Sequence, residues 1–501
     1  RDGEARMNTP LRRVSIAVMV MVVALLANAT YLQVIKADDL RADPRNSRVL
    51  LDEYSRQRGQ ISAGGQVLAA SIPTEDRYKY LRTYPPNPGA ASSPLANAPV
   101  TGFYSMLYSS TGLERSEDDV LNGSDDRLFG RRLFDLVSGR DPRGGNVVTT
   151  IDPLVQQVAY EELTSRGYTG SVVAIEPSTG NVLAMVSTPS YDPNLLASHE
   201  GAGTAEAWES LNADPSKPLL NRAIAATYPP GSTFKVLVTA AALENGATPE
   251  DQLTAAPTIT LPGTETSLEN YNGSTCGGGA TATLREAFAR SCNTAFVELG
   301  IDTGADALRD TASAFGIGEE ATSLVLPVAD STIGSIPDDA ALGQSSIGQR
   351  DVALTPLQDA VIAATVANNG VRMAPHLVSQ LQAPDLSNLA TTTPQSQGQA
   401  ISPETAKTLT SLMIGSENNT GGQGQIPGVQ IASKTGTAEH GTDPRNTPPH
   451  AWYIAFAPAE DPQIAIAVIV EDGGDRALAA TGGSVAAPIG RAVIAAGLQG
   501  R

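Results

Sequence analysis

The sequence contains few of the residues from which metal centres, disulfide scaffolds and nucleic-acid-binding surfaces are built. Only two of its 501 residues are cysteine and four are histidine, and the histidines show no spacing typical of metal ligands. We therefore predict no disulfide scaffold, no metal site and no cofactor. Acidic residues outnumber basic ones by 53 to 34, and only six of the basic residues are lysine. A formal charge of −19 without a basic cluster excludes a nucleic-acid-binding protein.

The composition is typical of a folded chain with more than one domain. Hydrophobic residues make up 41% of the sequence and charged residues 17%, and a chain of this length divides into two or three domains. We predict four segments: a tail at 1–13, a membrane anchor at 14–35, a small module at 36–145 and a larger domain at 146–501. The small module is polar and turn-rich, with a proline-rich linker at 85–94.

An uncharged run near the N-terminus, residues 14–32, follows Arg12 and Arg13. As a helix it is about 28 Å long, which is close to the thickness of the hydrocarbon core. The arginine pair favours a cytoplasmic N-terminus, with the rest of the chain outside. The alternative is a cleaved signal peptide, because Ala27-Asn28-Ala29 has the small-residue pattern of a cleavage site. We predict a retained single-pass anchor, since apolar residues continue beyond that site.

Two apolar runs at the beginning of the large domain and two at its end predict one antiparallel sheet. Residues 171–187 contain two such runs around a turn, which is typical of a hairpin. Residues 451–458 and 463–472 predict two more buried strands, and residues 483–498 predict a helix. Residues 383–400 are polar and of low complexity, and we predict a loop there. The order of elements indicates an α+β fold with helices between the two halves of the sheet.

The segment YPPGSTFK places Ser232 and Lys235 three residues apart at the predicted start of a helix. Residues three apart share a helix face, so Lys235 can reach the Ser232 hydroxyl. A serine hydroxyl is a weak nucleophile until a base takes its proton, and an amine is a base when burial or a second cation lowers its pKa. We therefore predict Ser232 as nucleophile and Lys235 as base. A helix that begins here with an exposed lysine is the alternative.

The segment Lys434-Thr-Gly-Thr437 precedes the two C-terminal strands and predicts an edge strand beside a cleft. The Lys434 cation and the hydroxyls of Thr435 and Thr437 are suited to hold a substrate carboxylate, and Gly436 allows a ligand to approach the backbone. The backbone N–H groups of Thr437 and Ser232 are expected to form an oxyanion hole. The alternative is a glycine-containing strand without a functional role.

A third short motif, Ser291-Cys-Asn293, lies between the other two and directly after a predicted helix. We expect Ser291 to relay a proton to a leaving group, and Asn293 to hydrogen-bond to Lys235 or to the substrate backbone. The pattern also occurs at Ser210 and Ser416, so a capping turn is the alternative.

The three motifs, in this order, resemble the set found in penicillin-binding proteins and class A β-lactamases. The resemblance extends over nearly the whole chain, because RGQI from Arg58, SIGQ from Ser346 and TPLQ from Thr355 are also similar to that family. The chain is most similar to the class B, monofunctional penicillin-binding proteins. This resemblance implies a penicillin-binding/β-lactamase-like transpeptidase domain with helices on both sides of its antiparallel sheet. A non-catalytic module of the pedestal or dimerisation type and one transmembrane helix would precede it.

The resemblance implies a serine-type D,D-transpeptidase that cross-links peptidoglycan stem peptides ending in D-Ala-D-Ala, with roles in cell division and cell shape. β-Lactams would acylate Ser232, and a membrane glycan polymerase of the shape-elongation-division-sporulation family would be the partner. The catalytic domain would lie outside the cell membrane, without cofactor or metal. The implied catalytic residues are Ser232, Lys235, Ser291, Asn293 and Lys434, and the implied substrate-binding residues are Thr435, Gly436 and Thr437.

Two other functions use the same residues or the same fold. A D,D-carboxypeptidase or β-lactamase forms the same acyl-serine and passes it to water, and a non-catalytic β-lactam sensor or division scaffold keeps the fold without the chemistry. The small module and the anchor weigh against a soluble lactamase, and the complete set of motif residues weighs against a non-catalytic protein.

Both cysteines lie near the third motif, and the middle residue of that motif is Cys292 where the S-D-N form has aspartate. Cys276 and Cys292 would lie in an oxidising compartment, so we predict a disulfide that closes a short loop beside Ser291. In the chain-entropy treatment it contributes about 3 kcal/mol. Two free buried thiols are the alternative.

Overall fold

The computed structural model describes residues 2–36, 54–85, 92–130, 138, 143–319, 324–421 and 424–499. Contacts divide the chain into two units, one of residues 1–56 with 73–80 and the other of residues 57–72 with 81–501. Of the predicted linker at 85–94, residues 86–91 lie outside the described residues.

The N-terminal apolar run forms one long helix. Helix Asp2–Thr30 continues into a π-helical turn, Tyr31–Ile35. Its segment Leu11–Gln33 has a mean hydropathy of 2.1 and is exposed. Its length and composition fit a membrane anchor, as predicted.

A five-stranded antiparallel sheet forms the centre of the large domain. Its strands in chain order are Gly170–Ile175 (β1), Val182–Thr188 (β2), Ala432–Ala438 (β3), His450–Ala457 (β4) and Ile464–Val470 (β5). The order across the sheet is β3-β4-β5-β1-β2. The predicted hairpin is therefore β1–β2, the predicted C-terminal strands are β4 and β5, and the KTGT segment is an edge strand, as predicted.

Helices cover both faces of this sheet, which explains why β1, β2, β4 and β5 are buried along their whole length. The apolar helix Pro356–Ala367 packs against one face, and Pro153–Thr164 and Ala487–Gly497 pack against the other. The side chain of Asp152 caps Pro153–Thr164 by accepting hydrogen bonds from the backbone N–H groups of Leu154 and Val155. The predicted α+β fold with helices on both sides is confirmed.

The predicted loop at 383–400 is wrong in part, because it contains the strands Asn388–Thr391 and Ser396–Gln399. Both are polar and largely exposed, and each is held by backbone pairing to a neighbouring strand rather than by burial of apolar side chains. Asn388–Thr391 is the edge of a six-stranded sheet, whose next strands are in order Val378–Gln382, Asn146–Thr149, Ile61–Ala63, Gln66–Pro73 and Tyr80–Thr83.

The structure describes further helices and short strands outside these two sheets. The α-helices are Pro94–Thr101, Gly112–Ser116, Asp118–Leu121, Asn194–Ala197, Gly201–Ala213, Arg222–Ala225, Lys235–Glu244, Leu284–Arg290, Asn293–Thr303, Ala305–Ala314, Asp339–Ser345 and Pro403–Thr420. The short strands are Tyr104–Ser105, Ser109–Ser110, Gln252–Thr254, Thr258–Thr260, Ser267–Glu269, Thr281–Thr283 and Val371–Met373.

Candidate active site

Ser232 lies on a tight turn that packs closely against another segment. It is the second residue of a 3₁₀ turn, Gly231–Phe234, and the helix Lys235–Glu244 follows directly. The predicted helix is therefore preceded by one tighter 3₁₀ turn, and that turn contains Ser232. The N–H of Gly231 donates to Gly348 O at 2.9 Å. A Cβ on Gly348 would lie 2.0 Å from Gly231 O, so only glycine allows this approach. The turn leaves Ser232 half-buried.

Lys235 is a fully buried amine whose hydrogen-bond partners are all oxygens. Its Nζ donates to Ser291 O at 2.7 Å and to Asn293 Oδ1 at 2.9 Å, and it lies 3.4 Å from Ser291 Oγ. Burial, and then the nearby charge of Lys434, hold the pKa of Lys235 well below its usual value. A neutral amine has two N–H groups and one lone pair. Because Ser291 O and Asn293 Oδ1 accept the two N–H groups, the lone pair is left to accept a proton.

Lys434 is a second fully buried amine and shares Ser291 with the first. Its Nζ donates to Ser291 Oγ at 2.8 Å and to Thr435 O at 3.0 Å. Burial lowers the pKa of Lys434 to about 7. Among the described residues no carboxylate forms an ion pair with Lys235 or Lys434 that would raise their pKa values again. Since Ser291 Oγ lies within reach of both amines, it can pass a proton between them.

The segment from Ser291 to Asn293 is a sharp turn between two helices. Ser291 ends the first helix in the left-handed conformation (φ 61°, ψ 40°), and Asn293 begins the next helix, Asn293–Thr303. The Asn293 Nδ2 group donates to Glu269 O at 3.0 Å, which leaves Oδ1 for Lys235. The turn therefore directs one hydroxyl and one amide oxygen toward the buried amines.

A disulfide joins Cys276 to Cys292, the middle residue of this turn, as predicted. The two cysteines are 1% and 5% exposed, and their Cα atoms are 5.8 Å apart. The bond ties a separate loop to the turn that carries Ser291.

We expect replacement of both cysteines by serine to lower the free energy of unfolding by about 3 kcal/mol, because the unfolded chain loses a closed loop of sixteen residues. Thermal unfolding of the double variant and of the oxidised wild type measures the difference. A thiol count on the unfolded wild type is expected to rise by two after reduction. An unchanged thiol count and an unchanged midpoint would contradict the prediction.

Gly436 of β3 packs closely against the segment that carries Ser232. A Cβ at this position would lie 2.8 Å from Pro230 O and 3.0 Å from Thr233 Cγ2, which are atoms of the segment that carries Ser232. The predicted reason for this glycine, close approach of a ligand, stays a prediction, and packing is a second reason. The absence of a side chain lets the edge strand lie directly against the turn that carries Ser232.

A cleft of about 430 Å³ opens between Ser232 and β3. Thr435 and Thr437 are the two half-buried residues of β3, and they share a face because strand side chains alternate. Charged side chains also border the cleft. Motif analysis did not indicate them, because they come from segments that are far apart in the sequence. The cleft is lined in part by Ser232, Asn293, Thr437, Glu269, Gln349, Arg350, Glu439 and Arg445.

The structure brings the three motifs to one place. Lys235, Ser291, Asn293 and Lys434 form one hydrogen-bonded group, and Ser232 and Thr437 border the cleft beside it. The partners of Lys235 Nζ do not include Ser232 Oγ. The oxyanion hole and the individual catalytic roles stay predictions.

Asp359 is a buried carboxyl that contacts the turn carrying Ser232, and motif analysis missed it. It is the only ionisable residue of the largely apolar helix Pro356–Ala367, which is the signal that could have indicated it. Thr233 Oγ1 donates to Asp359 Oδ2 at 2.8 Å, while Oδ1 is buried and has no hydrogen-bond partner. Burial raises the pKa of Asp359 to about 7, and the bond from Thr233 opposes this only in part.

We expect Asp359→Asn to stabilise the protein above pH 7 and to change little at pH 4. A carboxyl whose pKa is raised on folding binds its proton more tightly in the folded state. Wild-type stability therefore falls between the unfolded value of about 4 and the folded value of about 7, and the full cost above that range is about 4 kcal/mol. Thermal midpoints of both proteins from pH 4 to pH 8 measure the effect. A difference that is the same at both ends of this range would contradict it.

Two regions of the chain match known protein families. Residues 170–495 match the penicillin binding protein transpeptidase domain, and residues 58–147 match the penicillin binding protein A dimerisation domain. The chain is 65% identical over 496 residues to the peptidoglycan D,D-transpeptidase PbpA of Mycolicibacterium smegmatis, covering 98% of this chain and 99% of that protein. It is 63% identical over 497 residues to the PbpA of Mycobacterium tuberculosis, covering 99% and 100%.

Solved structures show the same similarity. The ceftriaxone acyl-enzyme complex of penicillin-binding protein A from M. tuberculosis superposes with a TM-score of 0.87 at 62% identity, over 90% of this chain and all of that chain. The penicillin G acyl-enzyme complex of the same protein gives a TM-score of 0.85 at 62% identity, over 89% of this chain and all of that chain.

Proposed function

The chain belongs to the penicillin-binding protein transpeptidase family, and from that membership we infer that it is a peptidoglycan D,D-transpeptidase. It is a class B, monofunctional protein similar to actinobacterial penicillin-binding protein A, and it binds β-lactams covalently as an acyl-enzyme. The observation that carries the chemistry is the buried, carboxylate-free amine of Lys235 beside the turn that presents Ser232.

We propose that Ser232 attacks the carbonyl of the penultimate D-Ala and that Lys235 takes the hydroxyl proton. The bond from Oγ to the carbonyl carbon forms, and the peptide bond to the terminal D-Ala breaks. Backbone N–H groups of Ser232 and Thr437 would stabilise the oxyanion, and each such donor contributes about 10²–10³ in rate. The position of both residues on the cleft supports this role.

The leaving amine needs a proton, and Ser291 is the group that can deliver it. The Ser291 hydroxyl is hydrogen-bonded to Lys434 and lies near Lys235, so the proton taken from Ser232 can reach the departing nitrogen through it. Lys434, in its charged form, and the hydroxyls of Thr435 and Thr437 would hold the terminal carboxylate of the donor. Thr437 lines the cleft, and Thr435 is the other half-buried residue on the same face of β3, which supports this role.

An amine acceptor distinguishes a transpeptidase from a hydrolase that shares its acyl-enzyme. The test supplies a donor peptide ending in D-Ala-D-Ala and an isotope-labelled D-amino acid as acceptor, and separates the products by mass. We expect exchange of the terminal residue to exceed hydrolysis. Hydrolysis alone would indicate a D,D-carboxypeptidase, and consumption of β-lactam without a stable adduct would indicate a lactamase. A protein that transfers the donor neither to the amine nor to water, and that does not consume β-lactam, would be a sensor or scaffold.

We propose a four-part organisation, with a tail at 1–13, an anchor at 14–35, a non-catalytic module at 36–145 and the transpeptidase domain at 146–501. The match of residues 58–147 to a dimerisation domain and of residues 170–495 to a transpeptidase domain supports the last two parts. The helix Leu11–Gln33 fits the anchor. Because Arg12 and Arg13 precede it, we propose a cytoplasmic N-terminus and a catalytic domain outside the membrane.

We propose a membrane glycan polymerase of the shape-elongation-division-sporulation family as the partner. The support is that the family matches account for residues 58–147 and 170–495 without a glycosyltransferase, while cross-linking requires glycan strands. Co-purification of the full chain with such a polymerase from membranes, with and without residues 1–35, tests the pairing.

A further inference from the structure

The two backbone N–H groups proposed for the oxyanion hole come from different segments. Ser232 lies on its 3₁₀ turn, here called the Ser232 turn, and Thr437 lies on β3. An oxyanion hole works only when both donors are about 2.7–3.1 Å from one point, so the separation of these segments has to be fixed. A Cβ on Gly231 would lie 2.8 Å from Thr437 O. Because the N–H and C=O groups of one residue in an antiparallel strand point to the same side, the Thr437 N–H is directed toward the turn as well.

A third segment, residues 348–354, is hydrogen-bonded to the chain that leads into the Ser232 turn. Gly348 O accepts from the Gly231 N–H at 2.9 Å. At the other end of this segment, Leu354 and Tyr228 exchange two backbone hydrogen bonds of 2.9 Å each. We call residues 348–354 the bridge segment. Because it is bonded to both ends of the stretch that precedes the nucleophile, its position and that of the Ser232 turn are coupled.

The side chain of Gln349 joins the bridge segment to the end of β3. The amide orientation that places donor opposite acceptor has Gln349 Nε2 donating to Glu439 O at 3.1 Å and Gln349 Oε1 accepting from the Glu439 N–H at 3.1 Å. Glu439 is the first residue after β3 and follows Thr437 by two positions. A primary amide offers a donor and an acceptor side by side, so it pairs with a backbone residue much as a neighbouring strand does.

This pairing lies at the point where β3 leaves its sheet. β3 is an edge strand, and its last residue paired with β4 is Ala438, opposite His450. Beyond Ala438 the register with β4 no longer holds the chain, and the next residue is the one that the Gln349 amide contacts. Gln349 is half-buried and lines the cleft, so water competes less for its two bonds than at an exposed site. The contact is therefore suited to hold the end of β3 in place.

We propose that Gln349 is a positioning residue for acylation, which sets the separation between the backbone N–H groups of Ser232 and Thr437. This inference rests on the proposed function, in which both groups stabilise the oxyanion. The bridge segment is bonded to the Ser232 turn through Gly348 and to the end of β3 through the Gln349 amide. Loss of the amide lets the two segments shift relative to each other. A shift of about 1 Å in such a site costs about 10²-fold in rate.

The test compares acylation of the full chain in detergent by a penicillin and by its analogue in which sulfur replaces the β-lactam carbonyl oxygen. Sulfur accepts hydrogen bonds weakly and its bond to carbon is longer, so an intact oxyanion hole favours the oxygen compound. Gln349→Met keeps a side chain of similar length and removes the amide. We expect it to slow acylation by the oxygen compound by about 10–100-fold and to lower the oxygen-to-sulfur rate ratio. A change that only loosened the fold would slow both compounds alike.

A second variant and a control complete the test. Gln349→Glu keeps the size and the acceptor but has no N–H to donate to Glu439 O, and we expect the same direction of change. Gln344→Met is the control and is expected to keep the wild-type ratio, because Gln344 lines the same cleft from the helix Asp339–Ser345. Wild-type acylation by Gln349→Met, or an unchanged ratio in both Gln349 variants, would overturn this inference alone. A wild type that is not acylated at Ser232 would overturn the proposed function and this inference with it.

Discussion

Ser232→Ala is expected to abolish covalent binding of β-lactams and to lower transpeptidation by a factor on the order of 10⁴–10⁶. The alanine variant has no oxygen that can form the acyl bond, while the rest of the site stays in place. The structural cost is small, because Ser232 is half-buried and none of the hydrogen bonds of Lys235 depends on its hydroxyl. The loss therefore reports chemistry and not unfolding.

The time course of labelling with fluorescent penicillin measures this prediction. Ser267→Ala is the matched control, since Ser267 lines the same cleft and its hydroxyl contacts only Thr260 among the described residues. We expect the control to be labelled at the wild-type rate. A stable label on the Ser232→Ala variant would mean that another residue is the nucleophile.

Replacement of Lys235 by either alanine or arginine is expected to slow acylation by a factor on the order of 10²–10⁴. Alanine removes the base, and arginine fails to restore it because a guanidinium keeps its proton at every relevant pH. Arginine is also larger than lysine, and the site is fully enclosed. Lys407→Ala is the control, because Lys407 is an exposed lysine on a different helix, Pro403–Thr420. Wild-type acylation by Lys235→Arg would contradict the role of a neutral amine.

The pH dependence gives the same prediction a second readout. The wild-type acylation rate is expected to rise with pH as Lys235 loses its proton. It should then fall as Lys434, whose pKa is about 7, loses the charge that holds the substrate carboxylate. In Lys235→Ala the rising limb is expected to disappear while the falling limb stays. A bell-shaped profile that is unchanged in this variant would assign the rising limb to another group.

The strands β1, β2, β4 and β5 could be predicted from the sequence because they are mostly apolar, and β1 and β2 are joined by a short turn. The strands Asn388–Thr391 and Ser396–Gln399 could not, since backbone pairing and not side-chain burial holds them. The three motifs are local patterns, so their residues were found. The contact of Thr233 with Asp359 joins residues 126 positions apart, and no local pattern indicates it.

The scarcity of lysine takes on a physical meaning in the structure. Of the six lysines, Lys235 and Lys434 are both fully buried and free of ion pairs with carboxylates among the described residues. An amine in such a place is costly to charge, and a lowered pKa suits Lys235 to its proposed role as a base near neutral pH. The packing role of Gly436 could not be predicted in the same way, because it depends on how closely β3 approaches the turn of Ser232.

The most direct test is to locate the acyl group during turnover. The full chain is mixed with a donor peptide ending in D-Ala-D-Ala, quenched rapidly in acid, digested and mapped by mass spectrometry, with and without an amine acceptor. We expect the donor, less its terminal D-Ala, as an ester on the peptide that contains Ser232, and we expect the acceptor to decrease its amount while cross-linked product appears. Turnover without an adduct on Ser232, or an adduct that the acceptor does not affect, would contradict the account.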